Sequence, residues 1–262
     1  MKNQKISIII VSLNTRIDFI KTLSSIKKQN YHNYEIIVID GNSIDGTKEE
    51  IMKRKEIISK FIIEKDKGIY HAMNKGIKIS SGKWTIFMNS GDIFYKKNAL
   101  KNFISKDNQY HDIIYGDTLV DAKSIQYVVK SKVFDTSTIL MPFCHQSVFV
   151  KSFLLKKRNF SLGYKYSSDF DFFNYCFLKG KKFKKADYII SKVKSGGFAD
   201  KNRQKVFDEN LQIVSKRAIK NLIYLLYLKK VNQFLKDFLK MLIPNTFQLF
   251  ILKLKYKNNL ID

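Results

Sequence analysis

Acidic side chains are scarce in this chain of 262 residues: 23 Asp and Glu stand against 48 Lys and Arg, a formal net charge of +25 at pH 7. Such an excess suits a polyanionic partner, whether nucleic acid, nucleotide phosphates or an anionic membrane surface. It equally suits a lysine-rich solvated surface, so charge alone selects no partner. Cysteine is nearly absent. Cys144 and Cys176 sit in apolar surroundings without Cys-x-x-Cys spacing, which reads as buried thiols in a reducing cytoplasm rather than a redox pair or a zinc site. No stretch reaches the roughly 20 uninterrupted apolar residues of a bilayer span. Met1–Lys5 is polar and Ile6–Val11 is shorter than a signal-peptide core, so the chain is expected on the cytoplasmic side. Internal repeats and low-complexity tracts are missing. A helix-turn-helix or RNA-recognition motif is missing too, which weighs against a nucleic-acid-binding protein. The turn Ser12-Leu13-Asn14-Thr15 lacks the glycines that a nucleotidyltransferase would ordinarily carry after its first strand.

What is present is apolar and periodic. With 45% hydrophobic and 14% aromatic residues, the chain can bury a substantial core. Ile6–Val11 and Tyr34–Ile39 read as strands buried on both faces, the pattern of a parallel sheet. Between them Ile17, Ile20, Leu23 and Ile26 recur at helical spacing over 16–29. A helix over Lys48–Lys55, capped by Asp45 or Thr47, a short strand Phe61–Ile63, a helix Ile69–Ile79 and a strand Trp84–Met88 follow. Alternating strands and helices predict an α/β fold: a mostly parallel, Rossmann-like sheet with helices on both faces.

Past Asp92 the pattern loosens. Ala99–Ser105 reads as helix, Asp112–Tyr115 as a strand ending at Gly116-Asp117, and Ala122–Val133 and Phe143–Val150 as further strands. A short helix starting at Phe153–Leu155, a loop Tyr164–Ser168, a helix Asp169–Leu178 and a strand Lys184–Val193 complete a mixed second half. We divide the chain into 1–198, with halves 1–95 and 96–198, and a basic tail 199–262. In the tail, Leu222–Leu228, Phe234–Ile243 and Phe247–Leu254 are flanked or interrupted by lysines. They fit amphipathic helices lying in a membrane interface, or a cap packed on the core or on a second subunit.

Four aspartates, Asp40, Asp66, Asp92 and Asp169, follow or adjoin predicted strands. In a parallel sheet such strand ends converge on the edge where ligands bind, although each alone is also an ordinary turn or cap residue. Expelling a nucleoside diphosphate needs positive charge on the leaving group, and Mg²⁺ or Mn²⁺ held by one or two carboxylates supplies it. Asp92 is the candidate ligand, with Asn89 and Ser90 shaping its turn and contacting sugar or ribose. A hydroxyl nucleophile needs a general base. Asp169 is the candidate, opening a helix among aromatics expected to raise its pKa; its other reading, a cap for that helix, does not exclude catalysis. His145 and Gln146 are assigned to the acceptor side, His145 being also readable as a structural residue. His71 faces either donor or solvent. Ser195-Gly196-Gly197 is either a phosphate-closing loop or a plain turn.

These residues carry a resemblance. Ser7–Asn14, Ile39–Thr47, Asp66–Gly76 and Phe87–Asp92, in that order and spacing, resemble the family 2 glycosyltransferases, most closely the bacterial branch that builds surface polysaccharides. Cys144-His145-Gln146-Ser147 and Ser168-Asp169-Phe170-Asp171 are similar to that branch too, so the match spans about residues 5–198. The resemblance implies a GT-A fold, an inverting single displacement and a nucleotide-sugar donor, usually a UDP-sugar. It implies that Val11, Leu13, Asn14 and Asp40 hold uracil and ribose, that Asp66 contacts the nucleoside, and that Asn74 and Lys75 face the donor. Asp92 falls at the family's metal-binding aspartate and Asp169 at its catalytic base. The family's Asp-x-Asp signature is reduced here to Asn89-Ser90-Gly91-Asp92, with one carboxylate. The expected activity is transfer of a sugar to a hydroxyl of a lipid-linked glycan in O-antigen, capsule or exopolysaccharide synthesis. The expected cofactor is Mn²⁺ or Mg²⁺. The protein is expected to associate peripherally with the inner face of the cell membrane, to bind no nucleic acid, and to be free to form a homo-oligomer.

Overall fold

A strand of β-branched residues with no polar face must be covered on both sides, and the first half of the chain supplies that cover. The computed structural model describes residues 4–105, 108, 110–122 and 125–216, with 231, 255–256 and 259–261 beyond them. β1 (Ile6–Ser12), α1 (Arg16–Lys27), β2 (Tyr34–Asp40), α2 (Thr47–Lys53), β3 (Lys60–Ile63), α3 (Ile69–Ile79) and β4 (Trp84–Phe87) alternate as expected. β1 pairs in parallel with both β2 and β4, and β2 with β3. Ile6, Ile8 and Ile10 pack on one face with Phe19, Leu23 and Ile26 of α1. Ile9, Ile37 and Ile39 pack on the other with Ala72, Met73 and Ile77 of α3.

The second half continues the same sheet. β5 (Ile93–Phe94), α4 (Ala99–Ser105), β6 (Ile113–Ala122), β7 (Ile125–Val129), β8 (Val148–Lys151), α5 (Ser152–Lys157), α6 (Ser168–Leu178), β9 (Phe183–Lys194), α7 (Phe198–Lys201), α8 (Arg203–Ser215) and β10 (Leu260–Ile261) follow. The order is β10-β7-β6-β8-β4-β1-β2-β3, with β9 paired to β5 and β6. β8 runs antiparallel to β4 and β6, while the long β6–β9 pairing is parallel. The result is the mixed α/β architecture expected, with one sheet running through both halves.

Three local expectations are corrected. The strand expected to stop at Gly116-Asp117 runs on to Ala122, because Gly116 sits at a register shift where β9 crowds it. A Cβ there would lie 2.6 Å from the Tyr188 carbonyl, so the glycine lets the ladder continue past the irregularity. The strand expected over 122–133 is only β7, one arm of a hairpin with β6. The segment from Phe143 does not begin as strand: a 3-10 turn, His145–Ser147, precedes β8. The cap of α2 is corrected as well: Gly46, in a left-handed conformation, is the N-cap rather than Asp45 or Thr47, and Asp45 accepts the Thr47 amide at 3.1 Å from just outside the helix.

The beginning of the basic tail packs on the core. Ile213 and Val214 of α8 join the cluster around α6, and Phe207 is buried. Tyr256 stacks on Tyr127 with ring centroids 4.0 Å apart, close to the point where β10 pairs with β7. The amphipathic segments expected at 222–228, 234–243 and 247–254 lie outside the described residues, apart from Val231 between them. Among the described residues no helix is long and apolar enough to cross a membrane.

Candidate functional site

The loops after β1 and β2 are laced together by short polar side chains. Asn14, in a left-handed conformation (φ 52°) that Asn tolerates, accepts the Ile44 amide on Oδ1 and donates its own amide to Ser43 Oγ, both at 2.8 Å. Ser43 in turn donates its amide and hydroxyl to the two oxygens of Asp40, at 2.8 and 2.6 Å. Asp40 is fully buried. Asp40 and Asn14 thus brace the two loops against each other with their polar atoms, while Leu13 between the loops is left 57% exposed. Gly41 leaves room beside it: a Cβ there would come within 3.1 Å of Leu13 Cδ1 and 3.4 Å of Asp66 Oδ2. Asp66 is held by Lys75 Nζ at 2.6 Å, with His71 Nδ1 at 3.2 Å from the same oxygen. Burial lowers the Lys75 pKa, but Asp66 and Glu64 outweigh it and the ammonium is held above its usual range. Leu13, Asp66, His71 and Lys75 therefore form one group.

Asn74 does not join it. Its amide nitrogen donates to the Phe160 carbonyl at 2.8 Å and its oxygen accepts the Phe160 amide at 2.9 Å, so it ties α3 to the segment before α6.

The second group forms where β4 ends. The Ser90 amide donates to the Val11 carbonyl and the Asp92 amide to the Asn89 carbonyl. Thr22 of α1 pins this turn from below: its hydroxyl donates to the Asp92 carbonyl at 2.8 Å and accepts the Gly91 amide at 2.9 Å. Asn89 Oδ1 and Ser90 Oγ are buried without a hydrogen-bond partner. An unsatisfied buried polar atom costs about 1–3 kcal/mol, and two at one strand end point to a ligand that completes them.

Asp92 and Asp169, 77 positions apart, are bridged by the 3-10 turn. Gln146 Nε2 donates to Asp92 Oδ2 at 2.9 Å, and His145 Nδ1 lies 3.5 Å from Asp169 Oδ2, an ion-pair distance outside hydrogen-bond geometry. The Gln146 oxygen accepts from the Cys144 thiol at 2.8 Å. Burial pushes the Asp92 carboxyl up to about 7, against the lowering effect of Gln146 and His145. Burial, with the charge of Asp92, raises the Cys144 thiol to about 12, so that thiol is inert. Asp169 opens α6, as expected, but its pKa moves the other way from the expectation. Burial raises it, and His145, the Tyr70 hydroxyl at 2.8 Å and the Phe170 amide at 2.9 Å together outweigh burial, so the carboxyl is held low. His145 sits within an aromatic box, tilted against Phe87 and Phe160 with ring centroids 5.1 and 5.9 Å away.

Two residues of this group carried no signal that set them apart. Tyr70 lies inside the Asp66–Gly76 motif on the core face of α3, where it passes for a packing aromatic. Glu209 of α8 accepts the backbone amides of Lys165, Tyr166 and Ser167 at 2.9, 2.8 and 2.8 Å, just before the turn that carries Asp169. Ser195-Gly196-Gly197 is an exposed turn in which the Gly196 amide donates to Asp200.

As a metal site the second group is sparse. Among the described residues no cluster of three His, Cys, Asp or Glu could hold an ion. Asp92, Asn89 and Ser90 nevertheless offer oxygen donors of the kind a hard divalent cation takes, since such a cation needs one or two protein oxygens and completes its shell with phosphates and water.

The pattern of the family described as glycosyl transferase family 2 matches residues 7–167. A PGL/p-HBAD biosynthesis glycosyltransferase of Mycobacterium bovis (strain BCG / Pasteur 1173P2) is 26% identical over 230 residues, 84% of this chain and 88% of the relative. The UDP-Glc:alpha-D-GlcNAc-diphosphoundecaprenol beta-1,3-glucosyltransferase WfgD of Escherichia coli is 30% identical over 128 residues, 46% of this chain and 51% of its own. The fold is similar to that of S. aureus TarS 1-349 in complex with UDP-GlcNAc, with a TM-score of 0.64 at 17% identity over 80% of this chain and 65% of that one. It is also similar to the mannosyltransferase PcManGT of Pyrobaculum calidifontis in complex with GDP-Man and Mn²⁺, with a TM-score of 0.65 at 16% identity over 84% of this chain and 66% of that one.

Proposed function

Because the chain belongs to glycosyl transferase family 2, we propose that it is an inverting enzyme that moves a sugar from a UDP-sugar to a hydroxyl of a lipid-linked glycan, in bacterial surface-polysaccharide synthesis. The observation that carries the reading is the bridge His145-Gln146, which brings Asp169 and Asp92 to the same end of the sheet. Asp169, held ionised by Tyr70 and His145, accepts the proton of the acceptor hydroxyl. The freed oxygen attacks the anomeric carbon from the face opposite UDP, and the bond to the diphosphate breaks with its electron pair leaving on UDP. Asp92, with Asn89 and Ser90, would hold Mn²⁺ or Mg²⁺, whose charge stabilises the departing diphosphate. Leu13 and Asp66 face the nucleoside, with Asp40 and Asn14 shaping their loops and Lys75 fixing Asp66.

WfgD's name gives that protein a UDP-sugar donor and a diphosphate-linked lipid acceptor, which supports the same classes of substrate here. The basic tail supports a peripheral place on the cytoplasmic face of the membrane. The nucleic-acid-binding and nucleotidyltransferase readings are not favoured. Asp169→Asn should abolish transfer and leave UDP binding intact by titration calorimetry, whereas Asp92→Ala should weaken Mn²⁺-dependent UDP binding. Full transfer by Asp169→Asn would refute the base assignment, and UDP binding indifferent to Mn²⁺ in the wild type would refute the metal. Replacing Lys229, Lys230, Lys236 and Lys240 by Gln should release the protein from anionic liposomes; unchanged sedimentation would refute membrane association through the tail.

A further inference from the structure

A cavity of about 620 Å³ opens between α1, β5 and the end of β9, and none of the bridged residues His145, Gln146 and Asp169 lines it. Its wall is rich in lysine: Lys21 and Lys28 from the α1 side, Lys96 and Lys97 after β5, Lys192 and Lys194 from β9. Three of the six have acidic partners. Lys194 and Lys21 lie 2.6 and 3.7 Å from Asp18, and Lys192 lies 2.9 Å from Asp121. Among the described residues no carboxylate pairs with Lys28, Lys96 or Lys97, and Asp18 is shared by two lysines, so six ammonium groups face two carboxylates and four positive charges are left over around one concavity.

The wall between the lysines is built rather than incidental. Gln29, buried at 2% exposure, donates from its amide nitrogen to the Lys96 carbonyl at 3.0 Å, and its oxygen accepts the Leu100 amide at 3.2 Å. The Asn30 amide donates to the Lys97 carbonyl at 2.7 Å. The end of α1 and the segment after β5 are thereby locked together, so Lys28, Lys96 and Lys97 are anchored on one rigid frame. Three ammonium groups on a concave frame suit a ligand with several anionic oxygens and a spread of charge. The cavity also touches Gly91, the residue before Asp92, so a molecule seated in it can extend toward the transfer site.

We propose that this cavity binds a phosphate or diphosphate ester at a subsite separate from the nucleotide donor. The ester is either the phosphate linkage of the acceptor or the headgroup of an anionic lipid, and the chemistry recognised is the same. The subsite does not depend on the UDP-sugar reading, since none of Leu13, Asp66 or Lys75 contributes to it.

The test uses the full chain and inorganic pyrophosphate as the probe, titrated calorimetrically at low ionic strength with UDP absent and with UDP saturating. The donor reading stands or falls on the separate UDP titration. Pyrophosphate should bind in both conditions. The triple variant Lys28→Gln, Lys96→Gln, Lys97→Gln should bind it at least tenfold more weakly, with its thermal midpoint and UDP affinity unchanged. A control variant Lys55→Gln, Lys78→Gln, Lys179→Gln, which removes the same charge elsewhere, should bind as the wild type does. Absent binding, full displacement by UDP, or equal weakening in both variants would overturn the proposal. Sedimentation with phosphatidylglycerol vesicles against phosphatidylcholine vesicles separates the sources. Loss of vesicle binding in the first variant assigns the headgroup, and unchanged vesicle binding with lost pyrophosphate binding assigns the acceptor's ester.

Discussion

Glu209 offers the sharpest perturbation of the proposed base without touching it. Its carboxylate takes three consecutive amides, from Lys165 to Ser167, and Ser167 also donates its hydroxyl to the Val206 carbonyl at 3.1 Å. Asp169 follows two residues later, and the Tyr70 hydroxyl, which shares its single proton between Asp169 at 2.8 Å and the Tyr166 carbonyl at 3.1 Å, ties the same segment. A hydrogen bond to a charged group contributes about 1.5–3 kcal/mol when well buried. Glu209 is half-buried and its three bonds share one charge, so Glu209→Ala should cost about 3 kcal/mol in all. Glu209→Gln keeps an acceptor for some of the amides and turns an NH₂ toward the rest, for a loss of about 1–2 kcal/mol. Urea unfolding measures both. The catalytic effect should be larger than the loss of stability implies, because a shift of about 1 Å in a reacting group costs on the order of 10²-fold in rate. Turnover of the Gln variant, followed as UDP release with acceptor present, should fall about that much while UDP affinity is unchanged. The acid limb of its pH profile should move upward as the Tyr70 and His145 contacts to Asp169 loosen. If turnover and the acid limb stay at wild-type values while the unfolding midpoint falls, Glu209 is a structural clamp only and the positioning role is wrong.

Two further outcomes follow from the same geometry. Glu35, with a side chain 2% exposed, accepts from Ser7, Ser81 and Gly82 and pairs with Lys5 at 3.2 Å. Burial raises its pKa, and these partners outweigh burial and bring it down to about 2 from 4.5. A depressed carboxyl stabilises the fold above its unfolded pKa, so about 3 kcal/mol should be present at neutral pH and lost as pH falls from about 4.5 to 2; urea midpoints across that window should lose this limb in Glu35→Gln. Gly41→Ala should move the exposed Leu13 and crowd Asp66, weakening UDP binding several-fold in calorimetry with an unfolding midpoint close to wild type; unaltered affinity would remove Leu13 and Asp66 from the nucleoside pocket.

The parallel half is legible because a strand buried on both faces has nowhere to hide its pattern: Ile6–Val11 and Tyr34–Ile39 are almost wholly apolar, and the aspartate that ends the second closes the strand by accepting from Ser43. What is not legible depends on partners far along the chain. Asn74 sits in a motif helix beside Lys75, yet its amide is matched by the backbone of Phe160, and no spacing rule anticipates a contact across 86 positions. The aromatics around Asp169 are plain in the sequence, and from them alone a raised pKa follows. The low pKa comes from His145 and Tyr70, which arrive from two other elements. Glu209 stands among the polar residues of α8, where a carboxylate reads as part of a solvated face. Gly116 looks like a strand terminator because glycine usually is one; only the crowding by Tyr188 makes it a residue that lets the strand go on.

The position of the His145-Gln146 bridge is itself determined by strand pairing. β8 follows it directly, with Val148 opposite Tyr115 of β6 and Val150 opposite Thr85 of β4. Ser147, fully buried between turn and strand, shares hydrogen bonds with the hydroxyls of Thr118 at 2.7 Å and Ser191 at 2.6 Å, which fixes the turn against β6 and β9. β4 is therefore the joint: on one side it pairs with β1 and delivers Asp92, on the other it pairs with β8 and so sets the turn that reaches Asp92 and Asp169 together. Neither half of the chain can form this arrangement alone. The parallel half without β8 has Asp92 but no Gln146 to hold it, and the second half without β4 has Asp169 and His145 with no Asp92 to face. One sheet running through both halves is what brings carboxylates 77 positions apart against the same three-residue turn.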